Sequence, residues 1–229
     1  MAMGAPDWQG QRWKVEAIPR PNYIYPSGKV LFSDNFDSPI LSWDTGGTGT
    51  EVVNLSTTRS FNAPNSVYLE TGATADNSAW ILKRFGLTAS KKVGVQLSYT
   101  LSGYVNNVLS VELLDVNTVA ISAAYIRFHG QNYRWEYYAP TIGWAAIPNF
   151  TQTVSRDGLT WNRLKIVVDF STNNYVRLYS NNESTDMSNL GTNVGAAGVS
   201  NYLQLYIKIL TPTNAVVKSY IDEIVVTEE

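Results

Sequence analysis

Aromatic and charged residues crowd one short part of this sequence. Tyr125-Ile126-Arg127-Phe128 is followed by Tyr133-Arg134-Trp135-Glu136-Tyr137-Tyr138, with Trp144 close behind. These residue types suit sugar recognition. Aromatic faces stack on the C–H surface of a sugar ring, while guanidinium, carboxylate and amide groups bond its hydroxyls. Period-two alternation puts Tyr133, Trp135 and Tyr137 on one face of a strand, and Arg134, Glu136 and Tyr138 on the other. One of the two faces must be core. With Trp135 inward, the second set is a solvated ladder. With Trp135 outward, the chain shows an aromatic strip that monomers rarely leave without use. The candidate glycan platform is therefore Trp135, Tyr137, Tyr133, Trp144, Arg127 and Glu136, joined by Trp80 from the 78–85 segment.

Other chemistries find little to work with. There is one histidine, His129, and no cysteine. Disulfides and Cys-ligated metals are thus excluded, and neither a zinc spacing nor a Ser/His/Asp set can be assembled. His129 lies in Phe128-His129-Gly130-Gln131 and reads as a turn residue. A net charge of -2 with scattered basic residues offers no stripe for a phosphate backbone, so no nucleic-acid partner is expected. No run approaches the roughly 18 apolar residues of a membrane helix, so membrane insertion is not expected either.

The elements that must position these residues are strands. The organising stretch is 161–182. There Leu164, Ile166, Val168 and Phe170 alternate with Arg163, Lys165, Val167 and Asp169. Ser171-Thr172-Asn173-Asn174 is turn chemistry, after which Val176 and Leu178 share one face and Tyr175, Arg177 and Tyr179 the other. Thirteen strands are predicted, over 30–32, 51–55, 66–71, 78–85, 93–101, 108–114, 119–128, 133–139, 143–147, 161–170, 175–179, 202–210 and 217–227. The segments 38–49 and 181–200 read as irregular. A hydrophobic fraction of 44% with 16% charged residues supports one folded domain over 30–229. The expected fold is all-β, two antiparallel sheets of about six or seven strands in a jelly-roll sandwich.

Residues 1–29 differ. Pro6, Pro19, Pro21 and Pro26 punctuate Trp8, Trp13, Tyr23 and Tyr25 without any period, which predicts an extended arm. Such an arm wraps its own sandwich or docks on a neighbouring subunit or a larger particle. The first ten residues carry no apolar h-region, so no signal peptide is expected. An extracellular or virion-surface location follows from that reading.

Three strand patterns carry a family likeness. Trp161-Asn162-Arg163-Leu164-Lys165-Ile166-Val167-Val168-Asp169, followed by Tyr175, Leu178, Tyr179 and Asn181, resembles a strand pair of concanavalin A-like sandwiches. Those are the laminin-G, legume-lectin and glucanase-type jelly rolls. Tyr220-Ile221-Asp222-Glu223-Ile224-Val225-Val226 is similar to their closing strand and to that of jelly-roll carbohydrate-binding modules. Phe32-Ser33-Asp34-Asn35-Phe36-Asp37, with Trp43 and Asn65-Ser66-Val67-Tyr68-Leu69, resembles the opening of those modules. The likeness implies that Asp34, Asp37 and Asp222 could hold a structural calcium; no cofactor is otherwise required. It also implies where catalysis would sit, since glucanases of this fold carry an E-x-D-x-x-E strand. That string is missing: in Glu112-Leu113-Leu114-Asp115 the two acids fall on opposite faces. The expectation is a non-catalytic surface module, a structural or adhesion component of an assembly such as a virion, with glycan binding. A dedicated lectin or carbohydrate-binding module is the alternative, and a polysaccharide-degrading enzyme the second.

Overall fold

The computed structural model describes residues 28–62, 64–86, 89–102, 107–151 and 154–229. All but the last two residues of the 1–29 arm, including its tryptophans, lie outside them. Sixteen strands are present among the described residues. They are β1 (Lys29–Asp34), β2 (Asp44–Thr48), β3 (Val52–Ser56), β4 (Ser66–Glu70), β5 (Ser78–Phe85), β6 (Lys92–Tyr99), β7 (Val108–Val116) and β8 (Ile121–His129). Then follow β9 (Arg134–Ala139), β10 (Gly143–Ala146), β11 (Asn162–Asp169), β12 (Asn174–Ser180), β13 (Glu183–Asp186), β14 (Asn193–Gly195), β15 (Tyr202–Leu210) and β16 (Lys218–Glu228).

Two antiparallel sheets of eight strands each form a sandwich. The first runs β13-β12-β11-β6-β16-β4-β3, with β1 paired to the second half of β16. The second runs β10-β9-β8-β7-β15-β5-β2, with β14 paired to β8. Alternate apolar residues from the two inner faces meet as one core. Val93, Val95, Leu97, Leu164, Ile166 and Val168 come from the first sheet; Leu109, Val111, Leu113, Ile126, Phe128, Leu205 and Ile207 come from the second. Burial of such side chains is the main force closing the sandwich.

Three strands appear where the sequence reads as irregular. β2 falls inside 38–49, and β13 and β14 inside 181–200. Each is short, polar or glycine-containing, and is recruited by pairing with an existing edge or strand rather than by its own propensity. The sheets are larger than expected for that reason.

The β11–β12 hairpin turns as predicted, with Asn173 at φ 54°. Its faces differ from the simple alternation. Val167 pairs with Arg177 and Val168 with Tyr175, so Val176 is an extra residue in the ladder. A bulge of one residue reverses the parity beyond it. Tyr175 therefore enters the core with Leu178, instead of facing out with Arg177 and Tyr179.

Candidate functional site

On the second sheet, every outward position is set by the inward one beside it. Leu109, Val111 and Leu113 of β7 are core, so Ser110 and Glu112 face out. On β15, Leu205, Ile207 and Ile209 are core, which leaves Tyr206 and Lys208 outside. The ladder then lines these positions up across the strands. One row carries Leu82, Tyr206, Glu112 and Tyr125 as register partners, and continues with the paired Tyr138 and Trp144. The adjacent row carries Trp80, Lys208, Ser110, Arg127, Glu136 and Ala146. From β5 to β10 is five strand spacings, or about 24 Å.

Aromatic rings gather at both ends of this strip. The Trp80 and Tyr206 rings are 5.3 Å apart, and Trp80 lies across the edge strand β2 at Gly46. A Cβ at Gly46 would stand 2.5 Å from the indole, so glycine is what admits the ring there. At the other end Tyr138 stands 5.8 Å from Tyr125 and 5.3 Å from Trp144. The Arg127 guanidinium lies 4.1 Å from the Trp144 ring centroid, a cation–π contact.

The centre of the strip is charged. Glu112 pairs with Lys208 at 3.5 Å. Burial lifts the Glu112 carboxyl above its ordinary pKa, and the Lys208 charge only partly offsets this. Burial, helped by the Glu112 charge, pushes Tyr206 up to about 12 and raises Tyr125 as well. Glu136 behaves oppositely. Burial alone would raise it, but hydrogen bonds from Arg127 and Arg134 outweigh that and keep it ionised. Its carboxylate lies 2.6 Å from Arg127 and 2.8 Å from Arg134. Glu136 thus fixes the guanidinium that covers Trp144.

Tyr125 is held from behind. The Tyr175 hydroxyl reaches from the opposite sheet, accepting from the Tyr125 N–H at 2.9 Å and donating to its carbonyl at 3.0 Å. Pairing of β8 with β9 begins at Ile126, so this hydroxyl supplies the partner that the ladder does not.

Of the sequence candidates, Trp80, Trp144, Arg127 and Glu136 come together on this face. Three others do not. Trp135 is fully buried, with its indole N–H donated to Ser180 Oγ at 3.2 Å. Tyr137 also points inward, edge-on to Tyr175 at 5.8 Å. Tyr133 sits in the β8–β9 turn at φ 55°, with the Arg156 guanidinium 3.4 Å from its ring centroid. Trp135 inward makes Arg134, Glu136 and Tyr138 the outward set.

Sequence reasoning missed Tyr206, Lys208 and Glu112 as site residues. Glu112 was weighed only together with Asp115, and the two do face apart: Asp115 is buried against Lys91 at 2.9 Å. The alternation of Leu109, Val111 and Leu113 marks Glu112 as outward by itself, and the same holds for Tyr206 and Lys208 within β15.

His129 closes β8, its Nδ1 accepting the Asn132 N–H at 3.4 Å, and burial lowers its pKa. The three acids considered for calcium are occupied with N–H donors. Asp34 accepts from Phe36 N at 2.8 Å and Trp43 Nε1 at 2.9 Å. Asp37 accepts from Asn35, and Asp222 from the backbone N–H groups of Phe61 and Glu223. Among the described residues no group of three or more His, Asp or Glu side chains is placed to hold a metal ion.

No protein-family model matches the chain, and no curated protein matches it. Solved structures do. The endo-β-1,4-glucuronan lyase of the fungus Trichoderma reesei superposes with a TM-score of 0.63 at 12% identity, over 88% of this chain and 96% of that one. A carbohydrate-binding module of the β-sandwich superfamily gives 0.51 at 15% identity, over 88% of this chain and 62% of that one. Bacillus licheniformis β-glucanase gives 0.50 at 10% identity, over 89% of this chain and 100% of that one. At these identities the shared property is the fold, the concanavalin A-like jelly roll.

Proposed function

We propose that the protein is a non-catalytic glycan-binding module. Its binding surface is the outer face of the β2–β10 sheet, and the ligand is a polysaccharide chain lying across the strands. One observation carries this reading: two aromatic clusters, Trp80–Tyr206 and Tyr125–Tyr138–Trp144, flank a charged centre on an unbroken ladder. Stacking at each end and hydroxyl bonding in the middle is how an extended sugar chain is held. Among the structural neighbours are a carbohydrate-binding module and enzymes named for polysaccharide substrates. That likeness of fold raises the prior without naming a ligand. The test is calorimetric titration with soluble β-glucans, xylan and uronate-containing polysaccharides. Trp80→Ala should weaken binding about tenfold or more at an unchanged melting temperature; a chain that binds none of them, or binds equally well without Trp80, sinks the reading.

Glu112 favours a second reading. A carboxyl of raised pKa between two tyrosines has the character of an acid or base catalyst. Product formation on the same panel, abolished in Glu112→Gln, would make the protein an enzyme. Membership of a larger particle, on a virion or outside the cell, rests on the sequence of residues 1–29. Light-scattering mass of the full chain against a chain starting at Lys29 tests it, and equal monomeric masses would remove its support.

A further inference from the structure

The first sheet carries a concavity of a different kind. The β16–β6 register slips between Asp222 and Val225. Inside the slip Glu223 adopts φ 50°, a conformation disfavoured for a residue with a Cβ. Its carboxylate accepts from Ser98 Oγ at 3.2 Å and from Asn62, and stands 3.6 Å from the Arg163 guanidinium. Beside it opens a cavity of about 280 Å³, with Ser33, Asn35, Gln96, Arg163, Glu223 and Val225 in its walls. Asp34 also borders it, but both its oxygens already accept hydrogen bonds.

Gln96 is the decisive residue. It faces outward between the core residues Val95 and Leu97, is 7% exposed, and its Oε1 has no hydrogen-bond partner. Buried amide oxygens are almost always matched, so an acceptor left over in a cavity wall is suited to a donor from a bound molecule. The neighbours define that donor's chemistry. Arg163 and Glu223 offset each other, an anion would meet Glu223 and Asp34, and among the described residues no three acids converge to hold a cation. A hydroxyl fits all of them, because it donates to Gln96 or Glu223 and accepts from Arg163. The volume lies just below that of pockets for drug-sized ligands, roughly 300–1,000 Å³, and suits one ring.

We propose that this cavity is a second ligand site, independent of the aromatic strip, that takes a single neutral sugar ring or similar polyol through its hydroxyls. None of the residues named in its walls is aromatic, so the ring enters edge-on, as a free sugar or a chain end would.

Amide-resolved NMR titration of the full chain with the methyl glycosides of glucose, galactose and mannose tests this. Shifts should gather at Gln96, Ser98, Arg163 and Glu223–Val225, with millimolar affinity. Gln96→Leu should weaken this binding about tenfold or more while the melting temperature holds or rises, since an unmatched polar atom is removed. Trp80→Ala should leave it intact. A reduced oligosaccharide ending in the same ring shifts the same amides if chain ends are taken, and leaves them unmoved if only free sugars are. No shift at the bulge, or undiminished binding in Gln96→Leu, overturns the proposal. Shifts confined to the Trp80 face and lost in Trp80→Ala overturn it too, while leaving the chain-binding reading standing.

Discussion

The two outer faces of this sandwich follow one alternation rule and end with opposite characters. On the second sheet, every described pair from β2 through to β10 keeps its register without a slip. Outward side chains therefore stay in line, and residues from β5, β15, β7, β8, β9 and β10 become a strip. On the first sheet the register slips three times, between Val30 and Phe32, Val167 and Val168, and Asp222 and Val225. Each slip breaks a row, and the last one leaves a hollow. Regular pairing makes a platform suited to a chain, and a bulge makes a pocket suited to a ring.

The core between the sheets is common to both faces, and removing part of it should cost most. Trp135→Ala is expected to lower stability by about 3–5 kcal/mol, because it empties a fully buried site and removes the Ser180 contact. Urea denaturation measures this, and both faces should fail together. A loss under about 1 kcal/mol would mean that Trp135 is not a core residue at all.

Tyr175→Phe separates the faces. The substitution leaves the Tyr125 N–H and carbonyl without their partner, for an expected loss of about 1–3 kcal/mol. Polysaccharide affinity should fall with it, because Tyr125 belongs to the strip, while monosaccharide shifts at the β16 bulge should persist. Equal damage to both sites would show that they are not independent.

The smallest effect concerns pH. Burial raises the Glu112 pKa in the folded chain above its ordinary value of 4.5. Folding therefore favours its protonated form. The stability it contributes is fully present below 4.5 and is lost as pH rises through the folded value. Glu112→Gln should flatten the melting temperature against pH above 4.5 without altering the acid limb. An unchanged profile would place the charged centre of the strip in a more solvated setting than its burial implies.

Much of this was legible beforehand. The all-β sandwich, the β11–β12 turn and the position of most strands follow from alternation and turn residues. Trp80, Trp144, Arg127 and Glu136 were all picked out by residue type. The strip itself was not, because its members belong to six strands and only the strand order β10-β9-β8-β7-β15-β5 makes them neighbours. Nor was β2, whose Asp-Thr-Gly-Gly-Thr holds three residues depleted in strands and which forms by pairing with β5.

What the sequence alone determined is the partition of each unbulged strand into two sets of residues, because side chains alternate there whatever the strand packs against. Which set faces the core was open in β9, because Trp135 and Tyr137 suit a core face and a sugar-stacking face equally well. Tertiary packing chose, by giving Trp135 an edge contact with Phe128 at 5.6 Å and a hydroxyl for its N–H on the opposite sheet. It also chose the slips. A bulge is one residue of mismatch between two ladders, and no single strand records which partner it will be mismatched against.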